Sequence, residues 1–247
     1  MKRPILLFSL GIFGGIFASL FYFNFYLADF LISQSELQDN LKAYLAENKL
    51  DALTSPASSI NPDFWQKIVN DSSISTVAIQ VFSNNKLNRQ GSGIILSNDG
   101  VIATSSNLII PNAIFQVFVN DKIVRAEVVH NDVSKNLAFL KVKETGLTVA
   151  SLDFEYNYKS GKDVIVSGKL TELSGPVNFS QRALISYVTD KDVILDTNLD
   201  KIINGSIALD SNGIILGMTY IKNNKVHLLS ARIIGEALSD FLNKNNE

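Results

Sequence analysis

Hydrophobic and polar positions change their spacing along the chain of 247 residues. Residues 5–23 form a long apolar run that has no charged side chain and no strongly polar one beyond serine. Residues 33–53 are more polar, and their apolar positions recur at helical spacing, as in Leu37, Leu41 and Leu45. Short apolar runs typical of strands follow. The pattern predicts three regions, residues 1–32, 33–62 and 63–247.

The first region has the length of a membrane anchor. A helix over residues 5–23 spans roughly 30 Å, which is the thickness of the hydrocarbon core. Lys2 and Arg3 precede the run, whereas Asp29 and Glu36 follow it. This asymmetry predicts a single-pass protein of the cell membrane with a cytoplasmic N-terminus. A cleaved signal peptide is the alternative, although the run is long for one and no A-x-A site follows.

A helical stalk and a linker rich in Ser and Pro, residues 54–62, lead into the third region. There, twelve short runs rich in β-formers are separated by turn signals such as Asn98-Asp99-Gly100 and Asn212-Gly213. No helical pattern separates them, so the region is predicted to be an all-β barrel or sandwich. The run "ARIIGEALSDFLNK" near the end predicts an amphipathic helix.

The composition excludes several kinds of chemistry. The net charge of −2 gives no sign of nucleic-acid binding. The chain has no cysteine, which rules out thiol catalysis and disulfides, and its two histidines are His130 and His227. No cluster has metal-ligand spacing, and no glycine-rich phosphate loop precedes a helix. We therefore expect no cofactor and no bound metal.

Several segments, in the same order, resemble the HtrA/Deg-type branch of the trypsin-like serine proteases. "GSGIILSNDGVIATSSNLI" (91–109) is similar to the segment that carries the family's histidine. "VVHNDVSKNLAFLKV" (128–142) is similar to the segment with the aspartate, and "DTNLDKIINGSIALDSNGIILGM" (196–218) to the nucleophile loop. The resemblance implies a trypsin-like double six-stranded β-barrel with a C-terminal helix. Because the resemblance extends to about residue 243, we expect these 247 residues to lack the PDZ domain that is common in the family.

The same resemblance places asparagine at every position of the catalytic triad. The histidine position falls on Asn107, the aspartate position on Asn136 and the serine position on Asn204. An amide does not titrate near neutral pH and has no hydroxyl, so no intact triad is expected. The glycine that supplies an oxyanion-hole amide falls on Ile202, so this device is predicted to be degenerate as well.

Three functions stay open. The first is a membrane-anchored, inactive protease homologue that binds a protein or peptide outside the cytoplasmic membrane, with a strand-addition groove at Thr219, Tyr220, Ile221 and Lys222. The second is a serine endopeptidase that uses a displaced nucleophile, Ser206, although no base is evident for it. The third is a purely structural envelope domain. The family resemblance also implies a homo-oligomer, specifically a trimer.

Overall fold

The structure is a computed structural model, and it describes residues 62–120, 122–173, 175–189, 192–197 and 203–244. The predicted cytoplasmic tail, anchor and stalk therefore lie outside the described residues, as does Ile202. Within the described part of the chain, no helix combines the length and apolar character needed to cross a bilayer.

The described residues form twelve strands and two α-helices. The first six strands are β1 (Thr76–Ser83), β2 (Lys86–Ile95), β3 (Val101–Ser105), β4 (Ile114–Val119), β5 (Lys122–Asp132) and β6 (Leu137–Val142). The second six are β7 (Asp163–Glu172), β8 (Gly175–Val188), β9 (Val193–Asp196), β10 (Ile207–Leu209), β11 (Ile215–Lys222) and β12 (Lys225–Ser230). Helix α1 (Pro62–Ser73) precedes the strands, and helix α2 (Ala231–Lys244) follows them.

Each set of six strands closes into an antiparallel barrel. The strand order is β1-β2-β3-β6-β5-β4 in barrel 1 and β10-β11-β12-β9-β8-β7 in barrel 2. The predicted double barrel and the C-terminal helix are thus confirmed. Tight hairpins form where the sequence has paired asparagines, at Asn84-Asn85 and Asn223-Asn224, whose four φ angles are all positive. Asparagine tolerates this left-handed conformation better than most residues, and two-residue hairpins require it.

Alternate residues along the strands point inward, and their buried side chains form three hydrophobic clusters. One fills barrel 1 and includes Ile79, Val117 and Leu140, and a second fills barrel 2 and includes Val166 and Leu216. The third takes residues from both barrels and both helices; its members include Ile94, Phe139, Ile165, Ile207, Met218, Leu229 and Ile234. This shared core holds the two barrels together. Loops at its edge therefore face each other across a cleft.

Candidate functional site: the cleft between the barrels

Asn107 is fixed at the end of barrel 1 by local backbone geometry. Strand β3 ends at Ser105, and a 3-10 turn, Ser106–Leu108, follows. The Asn107 N–H donates to the Ser105 hydroxyl at 3.2 Å, as in a helix N-cap. Leu108 is buried in the barrel 1 core, and the Arg89 guanidinium donates to the Asn107 carbonyl. The turn is anchored on both sides of Asn107, so its side chain has a defined direction.

Asn204 is fixed by the turn that leads into β10. Ile203 is buried in the barrel 2 core, and Gly205 has a φ of 83°. The Asn204 carbonyl accepts from the Ser92 N–H at 3.0 Å, which joins this turn to barrel 1. A Cβ built at Gly205 would lie 1.9 Å from the Ser92 carbonyl oxygen. Only glycine satisfies both the left-handed backbone and this close approach.

The side chains of Asn107 and Asn204 meet in the cleft. Asn107 Nδ2 donates to Asn204 Oδ1 at 3.1 Å and to the Ile221 carbonyl oxygen at 2.7 Å. The Ile221 N–H in turn donates to Asn204 Oδ1 at 3.1 Å. We call these three groups, the Asn107 and Asn204 amides and the Ile221 backbone, the amide clasp. Every bond within the clasp joins neutral groups, so it contains no titratable acid or base.

Asn136 adjoins the clasp only through its backbone. Its carbonyl oxygen accepts from the Ser106 N–H at 3.2 Å, and its φ is 56°. Among the described residues, no hydrogen bond joins the Asn136 side chain to Asn107. The side chains of Asn107 and Asn204 therefore meet, whereas Asn136 is joined to the 3-10 turn through its backbone carbonyl. The oxyanion assignment to Ile202 lies outside the described residues and stays a prediction.

Ser206 points away from the clasp into the contact between the barrels. It is 0% exposed, and its Oγ lies 3.4 Å from the Ser92 Oγ. Ser92 Oγ accepts from the Lys169 N–H at 2.9 Å and donates to the Lys169 carbonyl at 3.1 Å. We call Ser92, Ser206 and the Lys169 backbone the hydroxyl seam. Among the described residues, the Ser206 hydroxyl thus donates to another hydroxyl, which is not a base.

In the predicted groove on β11, the backbone groups that face the cleft are already hydrogen-bonded to other residues of the chain. The Thr219 N–H donates to the Ser206 carbonyl at 2.7 Å, and the Thr219 carbonyl accepts from the Gly205 N–H at 2.8 Å. Ile221 is bonded by the amide clasp, while Tyr220 and Lys222 are paired with β12. The family resemblance indicated these four residues, but not that their cleft-facing backbone groups are already hydrogen-bonded within the chain. The only available signal was the alternation of the strand, which turns the polar groups of Thr219 and Ile221 to the same side.

Neither histidine joins the clasp. His227 is buried on β12, where its Nδ1 lies 3.0 Å from Asp192 Oδ1 and its ring stacks on Tyr220 at 5.1 Å. Burial, and then the charge of Asp192, raises the pKa of Tyr220. His130 packs against the aromatic rings of Phe139 and Phe241. No sequence pattern predicts the His227–Asp192 pair, because the two residues come from different parts of the chain, strand β12 and the segment before β9.

Comparisons with known proteins agree with the double-barrel fold. The family model described as Trypsin-like peptidase domain matches residues 91–218, a range that includes Asn107, Asn136 and Asn204. A solved structure, the serine endoprotease from Yersinia pestis, superposes with a TM-score of 0.63 at 17% identity. The match covers 73% of this chain and 67% of that chain. At this identity the likeness concerns the fold alone. No curated protein matches the chain.

Proposed function

Since the chain belongs to the trypsin-like peptidase family, whose model matches residues 91–218, we propose that it is a member without hydrolytic activity. Its role in this proposal is that of a protein-binding or scaffold domain. The amide clasp carries the proposal. Asn107 and Asn204, which occupy the positions of base and nucleophile by resemblance, are bonded to each other and to Ile221.

The chemistry of the triad explains why the clasp argues against hydrolysis. The serine of a triad attacks only after an imidazole accepts its proton, and the aspartate stabilises the resulting imidazolium. Asn107 cannot accept that proton, because its nitrogen is a donor and its amide is not basic near neutral pH. Asn204 has no hydroxyl to form an acyl-enzyme. Both amides are also engaged, so neither is positioned to activate a water.

The displaced nucleophile is not favoured by its surroundings. Ser206 is fully buried, so a substrate carbonyl reaches its Oγ only if the barrels separate. Its partner in the hydroxyl seam, Ser92, is already engaged with the Lys169 backbone. A serine nucleophile needs an adjacent general base, and the seam supplies hydroxyl and backbone groups instead.

The proposed location is the outer side of the cytoplasmic membrane. The apolar run over residues 5–23, preceded by Lys2 and Arg3, supports an anchor with a cytoplasmic N-terminus. In this proposal the barrels face outward and hold a protein or peptide partner, with the β11 edge from Thr219 to Lys222 as the groove. Homo-oligomerisation as a trimer stays a prediction from family resemblance.

Casein turnover by the full-length chain tests the proposal. We expect the wild-type chain and the Ser206→Ala variant to release casein fragments no faster than buffer alone. The Asn178→Ala variant is a matched control, because Asn178 lies exposed on β8. Turnover by the wild-type chain and the control, lost in Ser206→Ala, would show an endopeptidase with a displaced nucleophile and overturn the proposal.

A further inference from the structure

The two backbone polar groups of Ile221 have partners that imitate a neighbouring strand. A strand added to an antiparallel edge accepts from one residue's N–H and donates to the same residue's carbonyl. At Ile221, Asn204 Oδ1 fills the first role at 3.1 Å and Asn107 Nδ2 fills the second at 2.7 Å. The amide clasp thus makes the pair of bonds that an extended peptide would make.

The neighbouring position on the same edge is held differently. Thr219 is bonded to the backbone of Gly205 and Ser206, so those bonds break only if the turn before β10 moves. Ile221 is bonded to side chains, which leave by rotation about their own bonds without displacing the backbone. Asn107 is also half-buried, whereas Asn204 is buried, with only 7% of its surface exposed. Asn107 is therefore the member of the clasp that opens most easily.

We propose that the amide clasp is an autoinhibitory contact that closes the β11 edge, and that an extended peptide segment binds at Ile221 by displacing the Asn107 amide. This inference rests on the proposed function, because a hydrolysing cleft would cut the peptide. The exchange keeps both Ile221 groups paired, because a peptide N–H takes the place of Asn107 Nδ2 at the Ile221 carbonyl while Asn204 Oδ1 keeps the Ile221 N–H. Its cost is the loss of the bonds that Asn107 makes in the closed state.

Substitution of Asn107 tests the clasp directly. Asn107→Ala removes the competing donor, and Asn107→Asp keeps the side-chain size but replaces that donor with an acceptor. The probe is an array of overlapping twelve-residue casein peptides, presented to the full-length chain in mild detergent. Because the peptide no longer has to displace the neutral hydrogen bonds that Asn107 donates to Asn204 and to the Ile221 carbonyl, we expect both variants to bind a subset of peptides about tenfold more tightly than the wild type.

Two controls identify strand addition. The Asn178→Ala variant is expected to bind like the wild type, because the Asn178 side chain is exposed on β8 and takes no part in the clasp. Peptides N-methylated at alternate residues are expected to lose the gain, since they lack the N–H that pairs with the Ile221 carbonyl. In the wild type, saturating peptide should shift the side-chain amide NMR signals of Asn107 while the Ile221 N–H stays protected from exchange.

Two results would overturn the inference. One is that neither Asn107 variant binds peptides more tightly than the wild type, and the other is that N-methylation leaves the gain unchanged. Casein turnover is measured on the same samples. Fragments would contradict the proposed function, whereas unchanged binding without fragments would contradict only the autoinhibitory clasp.

Discussion

The amide clasp and the hydroxyl seam lie on either side of one turn, yet they join the barrels in different ways. The clasp uses the side chains of Asn107 and Asn204, and Asn107 is partly exposed. The seam is deep, with Ser92 and Ser206 both fully buried, and it engages the backbone of Lys169. Buried hydrogen bonds without access to water cost more to break than exposed ones. We infer that the seam stabilises the domain, while the clasp determines whether the β11 edge is closed or open to a peptide.

The largest expected effect comes from the glycine between the two regions. Gly205→Ala puts a Cβ against the Ser92 carbonyl and strains a left-handed backbone, so we expect the free energy of unfolding to fall by about 3 kcal/mol or more. Gly161→Ala is the matched control, because Gly161 has a φ of 79° and no atom within 4 Å of the added Cβ. It should lose only about 1 kcal/mol in guanidinium denaturation. Equal losses would mean that the close approach to Ser92 does not constrain the turn.

The seam itself gives the next effect. Ser92→Ala removes the hydroxyl partner of the Lys169 N–H and carbonyl in a buried setting, so a loss of about 2 kcal/mol is expected. Ser180→Ala, an exposed serine on β8, should change stability by less than about 0.5 kcal/mol. If the two variants unfold at the same denaturant concentration, the seam does not stabilise the domain.

The clasp is expected to contribute less than the seam. Asn107→Ala removes two neutral hydrogen bonds at a partly exposed position, and we expect it to lose about 1 kcal/mol. Because Asn204→Ala breaks one of the same bonds, a double-mutant cycle should give a coupling energy of about 0.5 to 1 kcal/mol. Additive losses would show that the two amides do not act together.

The smallest expected effect separates Asn136 from its two counterparts. Asn136→Gly keeps the left-handed backbone and the carbonyl bond to the Ser106 N–H. We expect a change in unfolding free energy below about 0.5 kcal/mol and no change at the clasp. A loss as large as that of Asn107→Ala would place the Asn136 side chain in the same network.

The sequence predicted the parts of the molecule that repeat or fit a motif. Alternating apolar runs and paired asparagine turns gave the strands and hairpins, and family segments gave the positions of Asn107, Asn136 and Asn204. The clasp with Ile221 was not predictable, because it depends on which strand edge faces the cleft once both barrels have closed. The burial of Ser206 was missed for the same reason. The contact with Ser92 joins residues that are 114 positions apart.

The most direct test of the central claim is covalent labelling with a serine-directed fluorophosphonate. The full-length chain is treated with the probe and its peptides are mapped by mass spectrometry, with a heat-denatured sample as the baseline. We expect no serine, Ser206 included, to carry the adduct above that baseline, because the cleft offers a closed amide clasp in place of a base and a nucleophile. An adduct on Ser206 in the folded chain, absent after denaturation, would contradict the account.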